Sequence, residues 1–274
     1  PSGNFGNALA LREIWGFGPA DRLLHALPLY HVHGLFVATH TAMLAGATLL
    51  FLPRFEPDAV LAALPHASVM MGVPTFYTRL LADPRFTAET PARVRLFVSG
   101  AAPLQESTFH ALAARTGQRI LERYGMTETG MNSSNPLDGE RRAGTVGLPL
   151  PGVTLRLAAT TVDGGAADGA TADGVGEIEV QGPNVLAGYW RQPAATAAAF
   201  TADGFFKTGD LGRIEADGYL RIVGRAKDLI ISGGLNVYPK EVETVLDSLP
   251  GIAETAVIGV PHGDFGEAVV AVVT

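Results

Sequence analysis

The hydrophobic positions fall into three textures along the chain. Residues 47–52 (ATLLFL), 67–73 (ASVMMGV) and 94–98 (VRLFV) are short, nearly continuous apolar runs of strand length. Helical spacing fills the gaps, from Asp58 to Leu64 and from Thr75 to Leu81. It returns from about Gln105 to Arg115, before a strand at Arg119 to Arg123. Continuous apolar runs are strands buried on both faces, and their alternation with helices predicts a parallel α/β sheet. In such sheets ligands collect beyond the carboxyl ends of strands. The Ser99–Pro103 loop and the Tyr124–Thr129 loop both leave strands that way, and right-handed connections make them neighbours lining one crevice.

From Gly144 the texture is β-like and rich in turn residues. Thr154–Leu157, Gly176–Gln181 and Tyr219–Val223 predict a small antiparallel sheet or barrel. Residues 163–174 (DGGAADGATADG) predict a flexible hairpin loop. After Arg225 the spacing predicts a strand at Asp228–Ser232. Pro239 then opens a helix with apolar Val242, Val245, Leu246 and Leu249, which Pro250-Gly251 stops. Strands at Thr255–Val260 and Ala268–Val273 follow.

Composition narrows the function classes. With 274 residues, 47% of them hydrophobic and 17% charged, the chain has ample core material and is not disordered. A formal charge of −7 with no basic stretch excludes a nucleic-acid surface. No apolar run reaches membrane-spanning length and no signal peptide opens the chain, so no membrane insertion is expected. Cysteine is absent, which removes thiolate catalysis and thiolate metal sites and is compatible with a reducing cytosol. The expected location is cytoplasmic.

The chemistry concentrates in four segments. Arg123-Tyr124-Gly125-Met126-Thr127-Glu128-Thr129 sets a hydroxyl and a carboxylate side by side after an aromatic-Gly step, a turn suited to a flat ring, Mg²⁺ and a phosphate. Thr208-Gly209-Asp210-Leu211, Gly224-Arg225-Ala226-Lys227-Asp228 and Ser232-Gly233-Gly234-Leu235-Asn236-Val237-Tyr238-Pro239 follow in that order. Taken singly each is ordinary: Asp210 reads equally as a turn cap, Arg225 and Lys227 as surface charges, Gly233-Gly234 as a tight turn.

Together, from about Leu27 to the last residue, these segments resemble the adenylate-forming superfamily of acyl-CoA synthetases, adenylation domains and luciferases. The resemblance implies an α/β fold, with residues 1–225 as part of a large N-terminal domain. Its α/β part covers about 1–150 and a small β-rich subdomain about 151–225. Residues 226–274 would begin a small α+β C-terminal domain, truncated here. It also implies attack of a carboxylate on the α-phosphate of ATP, giving acyl-AMP and pyrophosphate, then thioester formation with CoA.

Under that resemblance Glu128 is the Mg²⁺ ligand and Thr127 donates to the α-phosphate. Tyr124 and the Gly100-Ala101-Ala102 backbone sandwich the adenine, with Gly125 and Met126 completing the nucleotide loop. Asp210 and Arg225 hold the ribose, Lys227 marks the hinge, and Gly233 and Gly234 line the pantetheine tunnel. Pro28-Leu29-Tyr30-His31-Val32-His33-Gly34-Leu35 matches the wall of the acyl pocket, with His31 and His33 between the carboxyl and the CoA channel. The family's Ser/Thr/Gly-rich phosphate loop and its late adenylation lysine have no counterpart, and Pro1–Asn7 has no cation. The sequence therefore reads as a fragment expected to be inactive alone.

The acid is read from two places. Residues 26–40 contain no acidic side chain to hold a substrate ammonium, which disfavours an amino acid. Helical spacing puts Arg79 on the face of Phe76 and Thr75, where it would pair with a second carboxylate; an exposed helical arginine is the plain alternative. YHVHGLF, MGVPTFYTRLL, ERYGMTETGMNSSNP, GTVGLPLPGV and ISGGLNVYPKEVE are similar to malonyl-CoA synthetases, although Ala101 stands where relatives using malonate often carry Ser. The expectation is an ATP-, Mg²⁺- and CoA-dependent ligase for malonate or methylmalonate. A ligase for another short or medium-chain acid and a non-catalytic nucleotide-binding remnant are the alternatives. A zinc site from His25, His31, His33 and His40 is weighed against these and lacks an intervening carboxylate.

Overall fold

A seven-stranded sheet organises the first part of the molecule. The computed structural model describes residues 3–160, 166–168 and 174–274. The chain divides into two compact units: unit 1 holds Pro1–Leu155, Val180–Phe206 and Gly218–Leu220, and unit 2 holds Arg156–Glu179, Lys207–Asp217 and Arg221–Thr274.

In unit 1, helix α1 (Gly3–Ile14) leads into β1 (Arg22–His25). A seven-residue π-helix, His33–Thr39, continues into α2 (His40–Leu44). β2 (Thr48–Phe51), α3 (Pro57–Ala63), β3 (Val69–Gly72), α4 (Pro74–Ala82), β4 (Leu96–Ser99), α5 (Glu106–Thr116) and β5 (Leu121–Met126) then alternate. β6 (Gly130–Ser134) and β7 (Leu148–Pro149) complete the sheet, whose order is β2-β1-β3-β4-β5-β6-β7. The first five strands run parallel, and β6 turns back antiparallel to β5.

The apolar runs take this form because both faces are covered. Leu24, Met70, Phe97 and Ile120 pack into one buried cluster, while Leu23, Val69, Met71, Leu96, Val98 and Leu121 pack into another. Successive residues of each strand thus enter opposite cores, as period-two geometry demands. Proline sits in the first turn of α3 and of α4, where its missing N–H costs no helical bond. Gly117 at φ 74 ends α5.

Two elements were not marked in the hydrophobic pattern, and one expectation changes. β1, only four residues long, sits between β2 and β3 although the hydrophobic pattern did not mark it. The opening Gly3–Asn7 is helical, and Asn7 exchanges hydrogen bonds with the Met131 backbone (2.9 Å each way). Tyr124, Gly125 and Met126, expected in a loop, lie in β5, so the turn narrows to Thr127-Glu128-Thr129. The reason is the hairpin: Gly125 lies against the Gly130 carbonyl so closely that a Cβ would sit 2.0 Å from it.

Helix α6 (Pro193–Ala199) also belongs to unit 1. β8 (Thr154–Thr160), β9 (Ala166–Asp168), β10 (Gly176–Gln181), β11 (Phe206–Ile214) and β12 (Leu220–Arg225) form a five-stranded sheet, order β12-β11-β10-β8-β9. β9 pairs antiparallel with β8 inside the stretch expected to be a flexible loop; the remaining residues of that loop, 163–165 and 169–173, lie outside those described. In unit 2, β13 (Ile230–Ser232), β14 (Leu235–Val237), α7 (Pro239–Leu246), β15 (Thr255–His262) and β16 (Gly266–Val273) follow. The four strands join in the order β14-β13-β16-β15.

The double-sided packing of β4 makes a direct prediction. Phe97 is fully buried and meets Tyr77 edge-to-face at 6.1 Å. Phe97→Ala should lower the stability of unit 1 by about 3–5 kcal/mol, read as the shift of its denaturant transition. A loss below ~1 kcal/mol would show that the face is not packed as described.

Candidate functional site

β4 and β5 are adjacent, with Val98 opposite Leu121 and Ser99 opposite Glu122. The loops that follow them therefore start side by side. Register brings Gly100 next to Arg123: a Cβ on Gly100 would lie 2.3 Å from the guanidinium carbon and 2.4 Å from Nη1. Glycine at 100 is thus required to house that side chain. Ala101 then adopts φ 71, a left-handed conformation that non-glycine residues rarely take. The loop is held at both ends, by Gly100 N–H donating to the Gly72 carbonyl (3.3 Å) and Leu104 N–H donating to Glu122 Oε1 (3.1 Å). Ala101 and Ala102 face solvent, whereas Tyr124 is buried.

Arg123 is only 3% exposed, and its Nε and Nη2 have no hydrogen-bond partner among the described residues. Its neighbour Glu122 points to the opposite face of the strand, as alternation requires. Burial lowers the Arg123 pKa to about 10, with Tyr77 and Glu122 acting the other way, so the group is still a cation at neutral pH. A desolvated guanidinium without an anion is costly, by several kcal/mol.

His33, at the start of the π-helix, is 1% exposed, and neither ring nitrogen has a hydrogen-bond partner among the described residues. Burial, then the charge of Arg123, then His31 and His25, push its pKa well below 6.5. The ring is neutral, able to donate from one nitrogen and accept at the other. His31 is exposed, and its Nδ1 accepts the His33 N–H at 3.1 Å. His25 is buried, its Nε2 on the Gly34 carbonyl (2.9 Å) and Thr39 Oγ1 (3.2 Å). His40 meets Phe36 edge-on. Among the described residues no group of three or more His, Cys, Asp or Glu side chains gathers around a metal position.

In the turn after β5, Thr127 is exposed and Glu128 half-buried. Glu128 Oε1 accepts the Tyr189 hydroxyl (3.3 Å), and its carbonyl accepts the Leu186 N–H (2.8 Å). Partial burial and the Glu128 charge raise the Tyr189 pKa, so the phenol keeps its proton.

In unit 2, Asp210 and Arg225 are brought together: Arg225 Nε donates to Asp210 Oδ1 at 3.0 Å, the aspartate buried and the arginine exposed. Thr208 Oγ1 caps the Asp210 N–H (3.1 Å) while bonding the Ile178 carbonyl (2.7 Å), and Gly209 N–H donates to Glu177 (3.0 Å). Lys227 is exposed in the short helical turn Ala226–Asp228. Gly233 and Gly234, at φ 58 and 81, form the β13–β14 turn, the pair of left-handed residues that such a hairpin needs.

Arg79 lies exposed on α4 with Thr75, while Tyr77 and Leu80 of the same helix are buried and Phe76 stacks on Phe55 at 4.1 Å. Arg123 is the residue that sequence reasoning named but gave no role. Its signal was available: residue 123 shares a strand face with the core residue Leu121, so an arginine there enters the interior.

The profile of the AMP-binding enzyme family matches residues 3–190, and that of the AMP-binding enzyme C-terminal domain matches residues 241–274. A malonate–CoA ligase of Arabidopsis thaliana is 40% identical over 96% of this chain and 45% of its own length. A sulfoacetate–CoA ligase of Cupriavidus necator is 43% identical over 93% of this chain and 50% of its own. The crystal structure of ATP-bound MatB from Rhodopseudomonas palustris superposes with a TM-score of 0.94 at 54% identity, covering 99% of this chain and 53% of that one. The chain spans about half the length of the curated relatives it matches.

The electrostatics of His33 are checkable. Its ring resonances should report the neutral form from pH 8 down to about 6, because protonation would add a second buried cation beside Arg123. An ordinary titration centred near 6.5 would show that His33 is solvated and that the two side chains do not share a dry pocket.

Proposed function

Because the chain belongs to the AMP-binding enzyme family, we propose that the whole protein is an ATP-dependent malonate–CoA ligase acting through an acyl-adenylate. The observation that carries the choice of acid is the buried Arg123 guanidinium. A dicarboxylate presents one carboxylate for reaction and a second that must be desolvated, which a buried cation with two donor nitrogens unsatisfied among the described residues compensates. His33 supplies a neutral donor beside it. Arg79, on an exposed helix face, has no such need of an anion. Similarity to the malonate–CoA ligase and to MatB supports the same reading.

In this reading the reacting carboxylate attacks the α-phosphorus of ATP; the bond to pyrophosphate breaks and acyl-AMP forms. The CoA thiol then attacks the acyl carbon, releasing AMP. Thr127 donates to the α-phosphate, the Gly100–Ala102 backbone and Tyr124 bound the adenine, and Asp210 with Arg225 holds the ribose. His31 stands at the passage between acid and CoA. Lys227 is the junction between the large domain, 1–225, and the small one, 226–274, and Gly233-Gly234 permits close approach of the pantetheine arm. Most of the protein's contribution is positioning and charge neutralisation.

Magnesium fits the Glu128 turn. Among the described residues no cation pairs with that carboxylate, and Mg²⁺ on substrate phosphates keeps several waters and needs only one or two protein carboxylates. When bound it would neutralise phosphate charge, and Glu128 would hold it. The sulfoacetate relative supports a second reading, a carboxylate–sulfonate substrate, because a guanidinium pairs with either anion.

Steady-state kinetics of the whole protein with malonate, sulfoacetate and butyrate test the assignment. Arg123→Gln should lower kcat/KM for malonate by ~2–5 kcal/mol, the range for removing one partner of a buried charge pair, and leave butyrate within about threefold. Arg79→Ala should affect all three acids alike. Equal loss of malonate and butyrate in Arg123→Gln would make Arg123 structural and remove the dicarboxylate reading; sulfoacetate exceeding malonate in the parent would favour the second.

A further inference from the structure

The segment from Asn184 to Thr196 wraps the Thr127–Thr129 turn. Asn184 Nδ2 donates to the carbonyls of Thr129 (2.8 Å) and Met131 (3.2 Å) and to Asn132 Oδ1 (3.0 Å). Leu186 N–H holds the Glu128 carbonyl (2.8 Å), and Tyr189 reaches the Glu128 carboxylate. Tyr189 is itself fixed. Its N–H donates to Thr196 Oγ1 (2.9 Å), which donates on to the Gln192 carbonyl (2.9 Å). Gly188 precedes it at φ 152, with Thr196 packed so close that a Cβ would lie 2.8 Å from Cγ2. The Asn184 and Leu186 bonds end on backbone carbonyls of the turn. The tyrosine hydroxyl adds something they do not, a donor aimed at the side chain.

We infer that Tyr189 is the positioning residue for Glu128: its hydroxyl occupies one carboxylate oxygen and turns the other outward to a divalent cation on the nucleotide phosphates. This rests on the functional reading above. The terminal torsion of a glutamate is soft, so an unheld carboxylate samples many orientations. A donor on Oε1 removes that freedom before the cation arrives. Carboxylates that bind metal are commonly held in this way, and losing the holding group weakens metal affinity by 10–100-fold.

The test is calorimetric titration of the whole protein with ATP at stepped Mg²⁺ concentrations. Tyr189→Phe removes only the hydroxyl and keeps both backbone anchors. The Mg²⁺ concentration giving half-maximal ATP binding should rise about 10–100-fold, while the KM for the acid stays at its parent value. In a Glu128→Gln background the same change should add nothing, because the group it positions is gone. An unchanged Mg²⁺ requirement in Tyr189→Phe, or an equal further loss in the Glu128→Gln background, overturns the assignment. If the parent protein shows no Mg²⁺ dependence at all, the functional reading falls and this inference with it. If Glu128→Gln loses that dependence and Tyr189→Phe matches the parent, only the tyrosine's role is refuted. Should Tyr189→Phe fail to fold, Thr196→Val and Thr196→Ser replace it. Valine, lacking the hydroxyl that fixes Tyr189, should raise the Mg²⁺ requirement and serine should restore it; identical behaviour of the two contradicts the inference.

Discussion

A buried guanidinium whose Nε and Nη2 have no hydrogen-bond partner among the described residues constrains everything around the end of β5. Arg123 is carried inward by strand alternation from Leu121, and its planar head fills the space where residue 100 would otherwise place a Cβ. That contact makes Gly100 obligatory and sets the path of the next residue, which takes the left-handed conformation at Ala101. The loop after β4 is then closed by Glu122, on the opposite strand face, accepting the Leu104 amide. The same charge helps to keep His33 neutral. One buried cation therefore shapes a loop, adds to the burial that keeps a histidine neutral, and leaves two donor nitrogens without a partner among the described residues.

The turn after β5 follows a different logic. Thr127 and Glu128 stand at the water-facing tip of a hairpin, with Gly125 and Gly130 pressed together beneath them. Such a tip has little packing of its own, so its geometry is imposed from outside by Asn184, Leu186 and Tyr189. In unit 2, Asp210 is positioned by its own strand and by Thr208 and Glu177 through neighbouring backbone groups. A strand carries Asp210, whereas Glu128 sits on a turn that its neighbours hold in place.

Much of this was legible in the sequence, for identifiable reasons. Continuous apolar runs announced β3 and β4 because strands covered on both faces need apolar side chains at every position, and the half-exposed edge strand β2 carries a similar run. The adjacency of the two loops followed from right-handed connections. β1 escaped because four residues that include a buried histidine do not form an apolar run, although Leu23 and Leu24 enter both cores. The π-helix at His33–Thr39 has no periodic signature short enough to read. Tyr124–Met126 looked like a loop because Gly-rich sequence usually is one; here the glycine permits close hairpin pairing instead. Arg79 drew attention through helical spacing, which places it with Thr75 but does not say whether that face meets solvent. Arg123 needed only the period of two. Tyr189 could not be read at all, since its contact with Glu128 spans 61 positions.

A crystal structure of the whole protein with the malonyl-adenylate trapped tests the central claim most directly. The distal carboxylate should lie about 3 Å from Nε and Nη2 of Arg123, with the His33 ring in contact and Gly100 unmoved. A distal carboxylate held by Arg79 or left in solvent, with the Arg123 guanidinium still unpaired, would contradict the account.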